Sequence, residues 1–373
     1  MAPMSGNSTP CRLTRGALRR DPSMGLWSSA DATGVPLPYI RVADWALKTT
    51  AHQPSMGGIK NAFGGGAINE GRSFADPKLL AEAMDLLEKG NCKIIDTAAL
   101  YGKSEELLGK AKAGDRFTID TKAKGGFGGP GHATKENIIR EATNSKKMLG
   151  DITVDVYYLH APDSDTDLAE TLAGINEVHK TGFFKRFGLS NYQAADVRKV
   201  HAHCKEHGYP LPSVYQGNYS AVARKQEELL FPTLRELGMA FYAYSPMAGG
   251  FLTKSKQDIQ DGRGRFGTDT PLGQMYHGMY SKPAYLEALA KWDEIAREEG
   301  VSKASLAYRW VKFNSPLKPA YGDAIILGAG GNEQLRETLE TINQGPLSEK
   351  AVKAIDELWE GIKHEAPLDN YHK

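Results

Sequence analysis

Four residues in this sequence are of types that together can deliver a proton to a reacting oxygen: Asp96, Tyr101, Lys122 and His160. Asp96 closes the run CKIID, and Tyr101 follows in the loop TAALYG. Lys122 ends FTIDTK, and His160 ends VYYLH. A tyrosine hydroxyl titrates near ~10, too high for an efficient proton donor at neutral pH. A cation beside it stabilises the phenolate and lowers that value. Lys122 supplies the charge if its ammonium is anchored, and Asp96 is the carboxylate to anchor it. His160 then donates a hydrogen bond to a carbonyl oxygen or relays the proton. The chemistry expected is general-acid assistance to a carbonyl being reduced, with Tyr101 brought towards working pH. The hydride has to come from a cofactor, because no side chain supplies one.

Taken singly, each residue has a plainer reading. Asp96 can cap a loop, and Tyr101 is one of 16 tyrosines. Lys122 can pair with any nearby acid or form a Schiff base, and His160 can be a satisfied core histidine. Their position is what joins them, since three successive apolar runs carry them all at the same, carboxyl end. In a barrel of alternating strands and helices, that end is where loops converge on one mouth.

The elements that must position them are read from periodicity and punctuation. Strands are expected within 59–68 and over 92–97, 116–122, 154–160, 185–189, 213–216, 239–244 and 323–327. Helices are expected over 77–89, 104–112, 135–149, 168–180, 193–207, 226–237, 283–299, 303–313, 332–342 and 348–363. Thr134 reads as an N-cap, Asp167 opens the next helix, and a Gly/Arg-rich stretch interrupts the pattern over 245–280. Eight short β runs, each followed by a helical pattern, give an α/β chain folded as a (β/α)8 TIM barrel. A doubly wound sheet is the rival, but GGGAINEG is not the GxGxxG fingerprint that would follow its first strand.

The barrel is expected over 59–363, with an irregular, poorly ordered extension over 1–58, a C-terminal helix and a polar tail over 364–373. The extension begins with Arg12, Arg15, Arg19 and Arg20 ahead of the first acid, Asp21, the composition of a mitochondrial transit peptide. Residues 1–20 show no clear amphipathic face, so a cytoplasmic location is expected, with mitochondrial targeting as the alternative.

At 40% hydrophobic and 24% charged, 373 residues can bury a sizeable core. A net charge of +1 speaks against a nucleic-acid binder. The three cysteines, Cys11, Cys92 and Cys204, form neither a disulfide framework nor a metal cluster. No apolar run is long enough for a membrane helix.

The blocks IIDTAALYGKSE, TKAKG, VYYLHAPD, FGLSNY, VYQGNYS, LFPTLRELGMAFYAYSPMAGGFLT and IILGAGGNEQL, in this order over residues 94–335, resemble the aldo-keto reductases. The likeness is greatest to the aflatoxin-aldehyde reductase branch and weaker to the potassium-channel β-subunit branch. It implies a catalytic tetrad of Asp96, Tyr101, Lys122 and His160. It also implies a bound NADPH, with NADH as the alternative. Ser190, Asn191 and Gln216 match positions that hold the carboxamide, and Tyr244 matches the aromatic on which the nicotinamide stacks. Ser245, Met247, Gly249 and Leu252 match the segment along the pyrophosphate. Arg265, Gly328, Gln334 and Glu337 belong to the phosphate-binding stretches.

The chain departs from its relatives at Gly330 and Thr338, where they carry a serine and an asparagine. Lys254 sits one position before the family's lysine, and Ser255 takes the matched place. The reading is a reductase of small carbonyl substrates that needs no metal, with a homodimer as a further expectation. Two other classes stay open: a nucleotide-binding, redox-sensing regulatory subunit, and a Schiff-base lyase working through Lys122.

Overall fold

The structure is a computed structural model that describes residues 58–372. The arginine-rich extension expected over 1–58 lies outside them, apart from Gly58. Eight strands are present among the described residues: β1 Lys60–Gly64, β2 Ile94–Asp96, β3 Thr118–Ala123, β4 Val154–Leu159, β5 Phe184–Ser190, β6 Pro212–Asn218, β7 Ala240–Tyr244 and β8 Ala324–Leu327. They close in chain order into one barrel, every pair parallel, with β8 returning to β1. Helices alternate with the strands around it, so the (β/α)8 barrel expected from the sequence is the fold.

Parallel strands covered on both sides read as nearly continuous apolar runs, as VDVYYL, AFYAY and AIIL do. Successive residues then face opposite sides. Ala62, Val156, Tyr158, Val214, Tyr242 and Ile326 pack together inside the barrel. Their neighbours Phe63, Tyr157, Tyr215, Phe241 and Leu327 join the larger core beneath the helices. Gly188 on β5 is required by one close approach: a Cβ there would lie 2.3 Å from the Tyr158 ring, which occupies that space.

Helix starts follow local chemistry. Asp76 accepts from the backbone N–H groups of Lys78 and Leu79 at 2.8 and 3.1 Å, and Pro77 fills the first turn where no donor is needed. Thr134 caps its helix through the Asn137 N–H at 3.3 Å, and Asp167 caps the next through Ala169 at 3.1 Å.

Three stretches differ from the sequence pattern. The helix expected over 226–237 is two, Gln226–Leu229 and Phe231–Glu236, because Pro232 has no N–H to continue the first. The helix expected over 303–313 is regular only over Lys303–Arg309 and finishes as a π-helical turn, Trp310–Asn314. The stretch 245–280 is not uniformly irregular, for it carries helices Lys256–Gln260 and Pro271–Tyr280. Among the described residues no helix is long and apolar enough to cross a membrane.

Candidate active site

Asp96 is the last residue of β2, Lys122 the last but one of β3, and His160 the first beyond β4. All three therefore reach the same end of the barrel. Lys122 is fully buried, and its Nζ donates to Asp96 Oδ2 at 2.6 Å and to the Thr97 carbonyl at 2.7 Å. The other oxygen of Asp96 accepts from Gln216 Nε2 at 2.9 Å. The Tyr101 ring centroid lies 5.2 Å from that ammonium and 5.7 Å from the His160 ring, edge on. The four residues singled out in the sequence are thus brought together.

Their electrostatics can be derived from these contacts. Burial works against the charge on Lys122, but Asp96 and Tyr101 together outweigh it and hold the amine above its ordinary value. Burial, aided by the charge on Lys122, keeps His160 well below its ordinary value, so its imidazole is neutral at pH 7. Its Nδ1 is buried with no hydrogen-bond partner.

Tyr101 departs from the expectation that its neighbour brings it towards neutral pH. Burial raises the phenol above its ordinary value, and the pull of Lys122 offsets only part of that. The reason is that a buried phenolate loses more hydration than one ammonium, itself shared with Asp96, returns.

The residues matched to a dinucleotide form a second group. Ser190 ends β5 and Asn191 follows it in a left-handed conformation, φ 61°. Asn191 is a strut: its Nδ2 donates to the His160 carbonyl at 2.9 Å and to Ser190 Oγ at 3.1 Å, while its Oδ1 accepts from the Tyr244 hydroxyl at 2.7 Å. Gln216 spends its Nε2 on Asp96, which leaves its carbonyl oxygen as the acceptor it can offer a ligand.

Beyond β7, Ser245, Ala248, Gly249 and Gly250 all have φ between 51° and 101°, and this tight turn is closed by the Ala248 and Gly250 N–H groups, which donate to the Ser245 and Met247 carbonyls at 2.7 and 2.9 Å. Met247 is half-buried; Leu252 is buried in the core, so its backbone is what it can present. Ser245 Oγ lies 3.3 Å from the Tyr276 hydroxyl, and the exposed Arg265 guanidinium lies 6.0 Å from the Tyr276 ring. Gly328, Gln334 and Glu337 stand apart on the segment after β8. The Gly328 carbonyl accepts from Tyr308, the Gln334 Oε1 accepts from the Gly330 N–H, and Glu337 is exposed.

These groups fit a nicotinamide dinucleotide. Amides sit at strand ends for a carboxamide, a tyrosine ring is half-buried beside them, and an exposed guanidinium can meet a phosphate.

Other residues at the site carry no sequence signal of their own. Phe127 lies edge on to His160 at 5.1 Å and to Tyr371 at 5.2 Å, forming a wall beside the tetrad. Neither the run GGFGG around Phe127 nor the C-terminal run around Tyr371 marks these aromatics as partners of the site. Asp120 is buried two residues before Lys122 on the same face of β3, with Oδ1 accepting from the Val156 N–H at 3.1 Å and Oδ2 without a partner. Burial, with Asp96 and Asp155 nearby, pushes it well above the usual carboxylate range.

The model of the "Aldo/keto reductase family" matches residues 62–360. The human aldo-keto reductase family 7 member A3 is 38% identical over 324 residues, covering 83% of this chain and 96% of that protein. The human aflatoxin B1 aldehyde reductase member 4 is 38% identical over 318 residues, covering 81% and 95%. The oxidoreductase sirO of Leptosphaeria maculans is 38% identical over 307 residues, covering 82% and 90%. With its barrel, and with relatives alike over nearly their whole length, the chain belongs to the aldo/keto reductase family of oxidoreductases.

Proposed function

We propose that this protein reduces an aldehyde or ketone to the alcohol, with Tyr101 as proton donor and NADPH as the reduced nicotinamide dinucleotide. The observation that carries the reading is the buried Asp96–Lys122 pair at 2.6 Å set beneath the Tyr101 ring beside a neutral His160. The names of relatives that act on aflatoxin B1 aldehyde support an aldehyde as substrate.

When bound, the dinucleotide supplies hydride to the carbonyl carbon. The residues of this chain do the rest. The neutral imidazole of His160 donates to the carbonyl oxygen and orients it, which a charged ring beside Lys122 would do only at the cost of repulsion. Tyr101, kept protonated by burial, gives its proton to the developing alkoxide. The phenolate left behind is stabilised by the Lys122 ammonium, so the charge is worth most once the proton has moved. Asp96 fixes that ammonium, and Gln216 fixes Asp96. Asn191 ties the backbone of His160 to Tyr244. Ser245, Gly249 and Arg265 would meet the phosphates, and Arg265 is the residue that would favour NADPH over NADH.

The Schiff-base alternative needs a neutral amine. Lys122 is held as an ammonium by Asp96 and the Thr97 carbonyl, so it is a poor nucleophile.

Tyr101→Phe tests the reading. Carbonyl reduction, followed at the reduced-nicotinamide absorbance, should fall about 10²–10⁴-fold, while fluorescence titration shows NADPH binding nearly unchanged. Wild-type turnover in the variant would remove Tyr101 from the role.

A further inference from the structure

A cavity of about 440 Å³ opens at the amino-terminal end of the barrel, across the molecule from the tetrad. It lies between the starts of β1 and β2 and the π-helical turn Trp310–Asn314. Three lysines, Lys60, Lys93 and Lys312, and three asparagines, Asn61, Asn91 and Asn343, line it, and among the described residues no carboxylate does. The family's chemistry gives none of these residues a task.

Lys312 is the inner group. It is only 7% exposed, and its Nζ donates to Asn343 Oδ1 at 2.8 Å. Among the described residues no carboxylate pairs with it. Burial pulls its amine down to about 8. The charged and titratable groups around it do not relieve this. Lys60 comes from β1 and Lys93 from the start of β2, both cationic. The Cys92 thiol, pushed up to about 12 by burial, is neutral at pH 7. Two acids lie on that side: Glu88 is 3.7 Å from Lys93 and already bound to Arg116 at 2.6 Å, and Asp323, whose carbonyl accepts from the Lys60 N–H at 3.3 Å, is bound to Arg235 at 2.7 Å.

Asn61 is the second, independent sign. It is 8% exposed, lines the cavity, and its Oδ1 has no hydrogen-bond partner. Buried ammonium and buried amide groups normally find partners. An oxyanion supplies both, as acceptor to Lys312 and to the Asn61 amide, and as donor to Oδ1 through a protonated oxygen. The local π-helical turn, a geometry often found at functional sites, is what carries Lys312 here.

We propose that this cavity binds a small, multiply charged oxyanion of the phosphate-ester class. Lys312 and Asn61 are its inner contacts, and Lys60 and Lys93 the outer charges. Because the amine of Lys312 is drawn down, binding takes up a proton above pH 8 and weakens as pH rises further.

The test is isothermal titration of the full chain, saturated with NADPH so that the phosphate-meeting segment after β7 is filled, with inorganic phosphate, pyrophosphate and malonate at pH 7 and 8.5, in two buffers of different ionisation heat. One site per chain is expected, tighter for pyrophosphate than for phosphate, with buffer-dependent heat showing proton uptake at pH 8.5. Lys312→Met should weaken binding about tenfold or more, the scale of one charge-assisted hydrogen bond, and abolish the proton uptake. Asn61→Ala should weaken it less. Arg265→Ala, at the other end of the barrel, should leave it intact. Carbonyl reduction by Lys312→Met should match wild type.

Absent heat with both phosphates, binding unchanged in Lys312→Met, or loss in Arg265→Ala would each overturn the site. Malonate binding without phosphate binding would overturn the ligand class. Should Lys312→Met fail to fold, the buffer dependence of the wild-type heat decides: no proton uptake at pH 8.5 refutes the role of Lys312.

Discussion

Lys122 carries a charge at a fully buried position because an anion at 2.6 Å and a carbonyl at 2.7 Å replace the water it gave up. Two residues earlier, Asp120 meets the opposite fate. One of its oxygens has a single N–H partner and the other has none, so the protonated acid is the form the barrel accepts. Its folded value stands above the unfolded one. The folded state therefore holds a proton that the unfolded chain releases as pH rises. That contribution is complete below the unfolded value and is lost as pH climbs through the folded one. Asp120→Asn keeps the shape and removes the titration. Urea denaturation should show the variant about 1–3 kcal/mol more stable than wild type at neutral pH, the gap closing towards pH ~4. Equal stability at both pH values would show that Asp120 is ionised in place. The reactive residues were legible in the sequence because Asp96, Lys122 and His160 each close an apolar run and Tyr101 lies in the loop that follows the first. The state of Asp120 was not, since FTIDTK gives its face by alternation but not which of its oxygens finds a donor. Nor did the sequence give the direction for Tyr101, where burial, a property of the whole mouth, outweighs the neighbour that spacing could suggest.

At the scale of elements, the exit from β7 does the unusual work. Four residues between 245 and 250 adopt left-handed conformations, two of them without glycine's freedom. Gly249 has a further reason to lack a side chain: a Cβ there would lie 2.2 Å from the Tyr276 ring, itself bonded to Ser245. Gly250 has φ 101° but nothing within 4 Å. Gly249→Ala must therefore displace the helix Pro271–Tyr280 as well as strain the backbone, whereas Gly250→Ala bears strain alone. Fluorescence titration should show NADPH affinity falling about tenfold or more in Gly249→Ala, given a strain of order 1–3 kcal/mol plus the clash, and falling less in Gly250→Ala. Equal losses would leave Tyr276 out of the account. The strands and most helix starts here were readable, as with Thr134 and Asp167, because apolar runs and caps act within a few residues. The helices Lys256–Gln260 and Pro271–Tyr280 were not. Gly262 and Gly264 punctuate that stretch, and Phe266, Tyr276 and Tyr280, which hold it down, find their partners only in the folded molecule. The break at Pro232 has a local cause, the missing N–H of that residue. The π-helical ending at Trp310 leaves no local mark.

Across the whole molecule, the last residues complete the mouth that the strands begin. The Leu368 carbonyl accepts from Gln226 Nε2 at 3.2 Å, and the Asn370 N–H reaches the Tyr244 hydroxyl at 3.4 Å. Asp369 is 4% exposed and folds the turn by accepting from the N–H groups of Tyr371 and His372 at 2.9 and 2.7 Å. The turn sets the Tyr371 ring against Phe127, and Phe127 against His160. Two routes therefore run from these residues to the tetrad: an aromatic wall facing the substrate, and a polar chain through Tyr244 and Asn191 to the His160 backbone. They make different demands on kinetics. If the wall matters most, a chain ending at Pro367 binds the carbonyl more weakly in ground and transition state alike. Its KM for an aromatic aldehyde should then rise roughly fivefold to tenfold, the scale of one lost aromatic contact of about 1–1.5 kcal/mol, with kcat little changed. Tyr371→Ala in the full chain should show the same rise, and Tyr371→Phe should restore wild-type KM, because the ring and not its hydroxyl meets Phe127. A fall in kcat at constant KM in the shortened chain, unmatched in Tyr371→Ala, would instead assign these residues to holding His160 in place.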